Sequence, residues 1–197
     1  MEPMLRRHIE HVVPLSDEEY AFVEKHFITR KATKGAMLIT KGEPVRYVYL
    51  VIAGLLKLTY EDKKEREHIV SFAMEDWWET DYPAWFSGDP ASLSLKCIED
   101  TQVYCLTLDG YQTICQQLQK MEHFFLHKAN RGHMASQDRI LSFLTDTPRE
   151  RYELVLRKQP VLLQRVPKAL LAAYLGLSRE TLSRLYRSHR SAGGGKM

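Results

Sequence analysis

Four polar side chains near the C-terminus have the chemistry needed to read the edges of DNA bases. Arg179, Glu180, Ser183 and Arg184 lie within SRETLSR at 178–184, where a helical period turns them outward together. Arginine can donate two hydrogen bonds to one guanine, and glutamate can accept one from cytosine. The predicted DNA contacts are completed by four neighbouring polar or basic residues: Ser178, Thr181, Arg187 and Lys168. Among these, Lys168 and Arg187 are expected to contact phosphates, which position a protein on DNA without specifying the sequence.

Two short helices joined by a tight turn are predicted to present these side chains. In VPKALLAAYLGLSRETLSRLYR at 166–187, Pro167 can start the first helix and Leu175-Gly176-Leu177 forms the turn. Ser178 then caps a second helix that runs to Arg187, with Leu182 among its inward residues. This pattern predicts a helix-turn-helix, although a hairpin of two helices held by salt bridges is the alternative.

Long helical segments are predicted before this motif. Asp109 can cap a helix that begins near Tyr111 and runs to Leu144, and Gly132 within it either permits close helix packing or marks a break. An apolar stripe at Leu118, Met121 and Phe125 suggests dimerisation through this helix. A capping box then predicts a further helix, with Thr147 as the cap, Pro148 as the first helical residue and Glu150 completing the box.

The first half of the chain has a different pattern. Ser16 is expected to cap a short helix, and from about Ile28 to Leu108 short β-rich runs alternate with turn residues such as Gly54. In residues 56–60 the side chains alternate, with Leu56, Leu58 and Tyr60 on one face and Lys57 and Thr59 on the other. Many short strands at regular spacing indicate an antiparallel jelly roll.

Composition limits the classes of protein. The chain of 197 residues is 44% hydrophobic, which is enough for a packed core, and its apolar runs are too short to span a bilayer. The three cysteines are widely spaced and no secretory signal is evident, which favours a reducing, cytoplasmic location. Residues 145–197 contain 11 Lys and Arg against 4 Asp and Glu, whereas the rest of the chain has a net charge of −4. A basic C-terminal quarter suits a nucleic-acid partner, although charge alone is equally compatible with a basic surface that has no partner.

Enzymatic and metal sites have little support in the sequence. His123 and His127 are four residues apart and could face one metal, but no third ligand stands at a matching spacing, so we expect no metal site. A metal-dependent cupin enzyme would need a histidine cluster in the strands, where only His68 lies. We therefore expect no catalytic residues and no enzymatic activity.

Three segments resemble the Crp/Fnr superfamily of bacterial transcription regulators. SRETLSR at 178–184 is similar to the recognition-helix motif of that family, and KGEPVRYVYLVIAGLLKLTY at 41–60 is similar to its barrel signature. The segment at 149–176 is similar to the one that links the dimer helix to the DNA reader. The resemblance implies a cyclic-nucleotide-binding-like β-barrel, a long dimerisation helix and a C-terminal helix-turn-helix. It also implies base contacts by Arg179, Glu180 and Arg184, with Ser183 at a further specificity position.

The sequence departs from the cAMP-binding members at the expected ligand pocket. Those members carry a glutamate for the ribose and an arginine for the cyclic phosphate. The pocket candidates here are Thr80, Asp81, Tyr82, Ala91 and Ser92. Alanine cannot replace a guanidinium, so useful cAMP affinity is not expected, and the identity of any other effector stays open. Aromatic residues nearby, among them Trp85 and Phe86, either fill the core in place of a ligand or line a pocket for another small molecule.

Together these features predict an α+β protein in three segments: a barrel domain with its N-terminal helix at 1–110, a dimerisation helix and hinge at 111–144, and a DNA-binding domain at 145–197. Few residues follow the recognition helix, so a reduced or absent wing is expected. The predicted function is a homodimeric transcription regulator that binds double-stranded DNA, with RNA polymerase as a further candidate partner and with neither a cofactor nor a membrane. The alternative is a small-molecule or cyclic-nucleotide sensor that acts through protein partners.

Overall fold

A computed structural model describes the backbone of residues 4–193 and the side chains of residues 4–187. The chain divides into two compact units, Met1–His133 and Met134–Met197. The first unit holds all the strands in this part of the chain, and the second is helical. The α+β class expected from the sequence is confirmed.

Eight antiparallel strands in the first unit form two sheets. The strands are β1 Phe27–Ala32, β2 Met37–Ile39, β3 Val48–Ala53, β4 Leu56–Glu61, β5 Glu67–Ala73, β6 Trp78–Glu79, β7 Ser94–Cys97 and β8 Thr101–Leu106. One sheet has the order β1-β8-β3-β6 and the other β2-β7-β4-β5. Strands close in sequence are therefore split between the sheets, which gives the predicted jelly-roll barrel.

Strand β3 lies at the centre of the packing, since both of its faces are covered. Tyr49 and Val51 belong to a core cluster with residues of both sheets, whereas Val48 and Leu50 belong to a second cluster with the surrounding helices. Adjacent side chains of a strand point to opposite faces. This explains why the apolar run in this part of the sequence does not alternate.

The alternation expected in β4 does not separate a buried face from an exposed one. Lys57 and Thr59 are as well buried as Leu56 and Leu58, and Tyr60 is exposed. The ammonium of Lys57 reaches the carboxylate of Glu67 at 2.5 Å, which explains how a cation is tolerated there. Tertiary packing therefore covers both faces of this strand from Leu56 to Thr59.

Helices close one side of the first sheet. They are α1 Met4–Glu10, α2 Asp17–Glu24, the short α3 Tyr82–Ser87, α4 Leu108–Gln117 and the start of α5 Gln119–Thr145. Ser16 caps α2 through a complete capping box with Glu19, as predicted. The sequence patterns did not indicate α1, which buries Leu5, His8 and Ile9.

His8 ties α1 to the barrel through two neighbours. The indole N–H of Trp78 donates to Nε2 of His8 at 2.9 Å. The other ring nitrogen, Nδ1, lies 3.2 Å from Oδ1 of Asp76. Because Nε2 accepts a hydrogen bond, the ring proton must be on Nδ1 and is donated to Asp76.

The single helix expected from Tyr111 to Leu144 is interrupted at Leu118. Thr107 rather than Asp109 caps α4, and Leu118 has extended backbone angles before α5 starts. Met121 is fully buried in the core of the first unit, and Phe125 packs against that core. The stripe proposed for dimerisation is therefore occupied largely within its own chain and cannot supply the dimer contact, whereas dimerisation through other residues of this helical segment stays a prediction. Helix α5 continues through Gly132 without a break.

Four further helices follow in the second unit: α6 Pro148–Lys158, α7 Pro160–Arg165, α8 Lys168–Leu175 and α9 Arg179–Gly193. The capping box of Thr147 and Glu150 is present at the start of α6, as predicted. Helix α9 extends six residues beyond the expected end at Arg187. Residues 194–197, where any wing would continue, lie outside the described residues. The three-segment boundaries drawn from the sequence remain a prediction.

Candidate DNA-binding surface and ligand pocket

The turn between α8 and α9 depends on Gly176. Its φ of 66° is left-handed, and its N–H together with that of Leu177 satisfies carbonyls at the end of α8. A Cβ at Gly176 would lie 3.0 Å from the ring of Phe143. Both the backbone angle and the close ring favour glycine here, which fixes the direction in which α9 leaves the turn.

The start of α9 presents a continuous polar surface. Arg179, Glu180, Ser183 and Arg184 are exposed, whereas Leu182 is 1% exposed and anchors the opposite side of the helix. The remaining predicted contacts are also at or near the surface, with Thr181 half-buried and three residues exposed: Ser178, Arg187 and Lys168. The structure thus places all eight predicted residues where they can reach a ligand in solution.

Hydrogen bonds within the first turn of α9 orient this surface. Ser178 accepts the N–H of Thr181 at 3.1 Å, as an N-cap should. Nη2 of Arg184 lies 3.3 Å from the hydroxyl of Thr181. The backbone N–H of Glu180 and the hydroxyl of Ser178 lower the pKa of the Glu180 carboxyl, and Arg179 and Arg184 act in the same direction. Glu180 is therefore an ionised acceptor between two cationic donors.

Lys168 is held near α9 by an aromatic ring. Its ammonium lies 5.1 Å from the ring centre of Tyr186, within the range of a cation–π contact. The hydroxyl of Tyr186 in turn donates to the carbonyl of Leu163 at 3.2 Å. The lysine charge is thus kept beside α9 although it belongs to α8.

Two arginines that the sequence patterns did not single out fix the end of α8. Arg139 of α5 donates to the Tyr174 carbonyl at 3.1 Å, and Arg151 of α6 donates to the Leu175 carbonyl at 3.0 Å. Both guanidinium groups also lie over the ring of Phe143, at 4.8 and 5.2 Å. The last carbonyls of a helix have no partner within the helix and carry a partial negative charge. The two cations therefore fasten the first helix of the motif to α5 and α6.

The expected ligand pocket of the barrel brings only some of its candidates together. Thr80 is buried, and its hydroxyl donates to the carbonyl of Tyr47 at 2.9 Å. Tyr82 begins α3 and is 42% exposed. Ala91 is buried, and its N–H and carbonyl bond to Glu43 and Gly42 of a neighbouring loop.

Asp81 and Ser92 are the two candidates that touch. Oδ2 of Asp81 accepts the N–H of Ser92 at 2.7 Å and its hydroxyl at 2.9 Å. The N–H of Leu93 reaches the same oxygen at 2.9 Å. Among the pocket candidates, Asp81 carries the same acidic group as the ribose-binding glutamate of the cAMP-binding members, but its carboxylate is engaged inside the protein.

The neighbouring aromatic residues divide between core and surface. Trp85 is 3% exposed and packs against Phe86 and Tyr111, whereas Phe86 is itself 55% exposed. Core filling, one of the two interpretations of this aromatic group, therefore applies to Trp85 but not to Phe86. The other considered cluster, His123 and His127, is exposed on α5. Within the described residues, no three side chains of His, Cys, Asp or Glu are placed to hold a metal ion.

Comparison with known proteins matches this architecture. Residues 29–118 match the family described as cyclic nucleotide-binding domain. The catabolite activator protein of Thermus thermophilus aligns over 94% of this chain and 88% of its own, with 23% identity and a TM-score of 0.57. FixK2 of Bradyrhizobium japonicum aligns over 85% and 86%, with 20% identity and a TM-score of 0.71. A Crp/Fnr-family transcriptional regulator of Eubacterium rectale aligns over 93% and 87%, with 14% identity and a TM-score of 0.67. The chain has the Crp/Fnr regulator fold.

The Crp/Fnr fold accounts for both regions described above, since the barrel contains the Asp81 loop and the helical unit contains the α8–α9 motif. No curated protein sequence matches the chain. Among the helices at residues 4–193, none combines the length and the hydropathy needed to cross a bilayer. At these identities the similarity establishes the Crp/Fnr fold, and the chemistry of the site must come from this chain's own residues.

Proposed function

We propose that the protein is a DNA-binding transcription regulator without enzymatic activity, and that α9 reads bases in the major groove. The observation that carries this proposal is the exposed polar face at the start of α9, opposite the buried Leu182. The first residues of a recognition helix are the ones that reach base edges. Here they supply arginine donors around an ionised glutamate, a set suited to guanine and cytosine.

We further propose that the active form is a homodimer joined through α5. Residues at alternating spacings of four and three along this helix are all exposed: Leu126, Asn130, His133, Gln137, Ile140 and Leu144. This is the spacing of the contact line in a coiled coil of two helices, and a polar residue in such a contact selects the register of the two helices. A two-fold dimer would read a pseudo-palindromic site with half-sites about one helical turn apart. RNA polymerase remains a further candidate partner, and the cytoplasm the expected location.

The proposed regulator does not use cAMP as its effector. Ala91 stands where the resemblance places a phosphate-binding arginine, and its side chain is buried. A cyclic phosphate that enters a pocket without a cation loses its hydration and gains no charged partner. We therefore expect calorimetry with cAMP and cGMP to detect no micromolar binding.

Selection of bound sequences from randomised DNA tests the main proposal. The full chain should enrich a pseudo-palindromic site. Arg184→Ala should then weaken binding to that site by about 1–3 kcal/mol and relax its sequence preference. Lys63, an exposed cation in the turn after β4, provides the matched control, because Lys63→Ala removes the same charge far from α9 in sequence. Enrichment of no sequence, or equal losses for both variants, would reject base reading by α9.

A further inference from the structure

A convergent set of hydrogen-bond donors lies just before β7. The N–H groups of two consecutive residues, Ser92 and Leu93, and the hydroxyl of Ser92 all reach Oδ2 of Asp81 at 2.7–2.9 Å. Successive backbone N–H groups that converge on one point form a concave site for an anion. The donor set is therefore that of an oxyanion site, and a carboxylate from the same chain fills it.

The carboxylate is enclosed, although the site lies near solvent. Asp81 has no exposed surface, whereas Ser92 is exposed. The other carboxylate oxygen, Oδ1, accepts the N–H of Ala84 at 3.4 Å. A buried carboxylate is tolerated when several donors replace its hydration, and these four provide that replacement.

The loop that carries the donors is also held from its other side. The N–H of Ala91 donates to the carbonyl of Glu43 at 2.9 Å, and the N–H of Gly42 donates to the carbonyl of Ala91 at 2.8 Å. Pro44 and Pro90 form a bridge next to these bonds. Because these contacts do not involve Asp81, the donors should keep their arrangement when its carboxylate is removed.

We propose that Asp81 is a built-in anion that occupies an oxyanion site formed by Ser92 and Leu93. In the native protein this site is closed to free oxyanions, and it accepts a small one, such as formate or inorganic phosphate, only when the Asp81 carboxylate is absent. The inference deepens the proposal that cAMP is not the effector, and it does not depend on DNA binding by α9.

Chemical rescue of a truncated side chain tests this assignment. Asp81→Ala vacates the volume of the carboxylate, and Asp81→Asn keeps the volume but removes the charge. Thermal unfolding of the full chain is measured with sodium formate, with sodium phosphate and with sodium chloride at matched ionic strength. An oxyanion at about ten times its Kd should raise the Tm of Asp81→Ala by roughly 3–6 °C relative to chloride. Wild type and Asp81→Asn should show no such difference.

Two outcomes would overturn the proposal. One is an equal Tm rise in wild type, which would mean that the site is open; the other is no specific rise in Asp81→Ala. If Asp81→Ala does not fold, amide hydrogen exchange on Asp81→Asn gives the answer, because loss of the charge should speed exchange at Ser92 and Leu93 and unchanged protection would refute the assignment. Micromolar cAMP binding by wild type, alongside intact rescue, would instead reject only the proposal about the effector.

Discussion

The guanidinium of Arg139 lies 3.7 Å from the ring centre of Tyr174 and also donates to the carbonyl of that residue. One side chain thus uses both its flat face and its edge on the same partner. Burial lowers the pKa of Arg139, and Tyr174 acts in the opposite direction. The contact joins α5 to the last turn of α8, directly before the turn that sets the path of α9.

Removal of this contact should destabilise the helical unit. A cation–π contact and a charged hydrogen bond are together worth about 2 kcal/mol in a partly buried setting, so Arg139→Ala should lower the free energy of unfolding by that amount. Arg139→Lys should recover only part of the loss, since an ammonium lacks the flat face. Urea denaturation measures both effects. Arg149→Ala, which removes an exposed pair with Glu153, is the control and should change stability little, because solvent screens an exposed pair. Equal losses for Arg139→Ala and Arg149→Ala would argue against a special role for Arg139.

Lys168 and Arg184 should affect DNA binding in different ways. Lys168→Ala is expected to weaken specific and random DNA alike and to reduce the slope of log affinity against log salt by about 1, because it removes one phosphate contact. Arg184→Ala should mainly weaken the specific site. Binding measured over a range of salt concentrations separates the two roles, and identical behaviour of the variants on both DNAs would refute the assignment.

Dimerisation through the exposed side of α5 should be sensitive to charge. Ile140 is 59% exposed and Leu144 is 75% exposed, one turn apart on the same face. Ile140→Glu would place two carboxylates against each other in a dimer, so sedimentation should show a monomer at micromolar concentrations. Ala135→Glu adds the same charge on the opposite side of the helix and should leave the dimer intact. A monomeric wild type in the presence of operator DNA would contradict the proposed seam.

Protonation of His8 should lower the free energy of unfolding in mild acid. The pKa of His8 is lowered from 6.5 to about 4, mainly by burial and also by nearby Lys128, against an opposing effect of Asp76. The folded state therefore binds fewer protons than the unfolded state between these values, so stability present above pH 6.5 is lost as the pH falls towards 4. The expected loss is about 2–3 kcal/mol, and it should be smaller in His8→Gln. Urea denaturation across this range provides the measurement, and parallel curves for the two proteins would exclude His8 as the source.

Glu79 should have the opposite effect. Burial raises the pKa of this carboxyl from 4.5 to about 7, although the hydroxyl of Ser71 and the N–H of Thr80 stabilise its charged form. Stability that is complete below pH 4.5 should decline as the pH rises towards 7. Glu79→Gln keeps an acceptor for Ser71 and should remove this decline. Between pH 4.5 and 6.5 the two effects act in opposite directions and largely cancel in the wild type, so His8→Gln should reveal the decline caused by Glu79 and Glu79→Gln the loss caused by His8. Curves that are unchanged in both variants would show that other groups dominate.

Local signals in the sequence predicted the elements that depend on local chemistry. Ser16 and Thr147 each form a capping box with the glutamate three residues later in the sequence. Gly176 adopts the left-handed backbone conformation that its turn requires. The exposed face of α9 followed from its period and from the inward leucine. These features need only neighbouring residues, which a single sequence contains.

Features that depend on distant residues were missed. Leu118 interrupts a helical run that contains neither proline nor a turn motif, and Met121 is drawn into the core of the first unit. Tyr174, which Arg139 contacts, lies 35 residues away in sequence, and the donors to Oδ2 of Asp81 lie 11 and 12 residues away. No periodicity reveals such pairs, because the folded backbone alone brings them together.

A covalently attached ligand acts at an effective concentration that dilution cannot change. The carboxylate that Ser92 and Leu93 hold is such a ligand, since Asp81 belongs to the same chain. Free anions must compete with a carboxylate that is covalently part of the chain, so changes in their concentration in the cell would have little effect on the occupancy of this site. Under the proposed function, occupancy of a promoter would then not follow the concentration of small anions through this site, and any effector would act at another part of the protein.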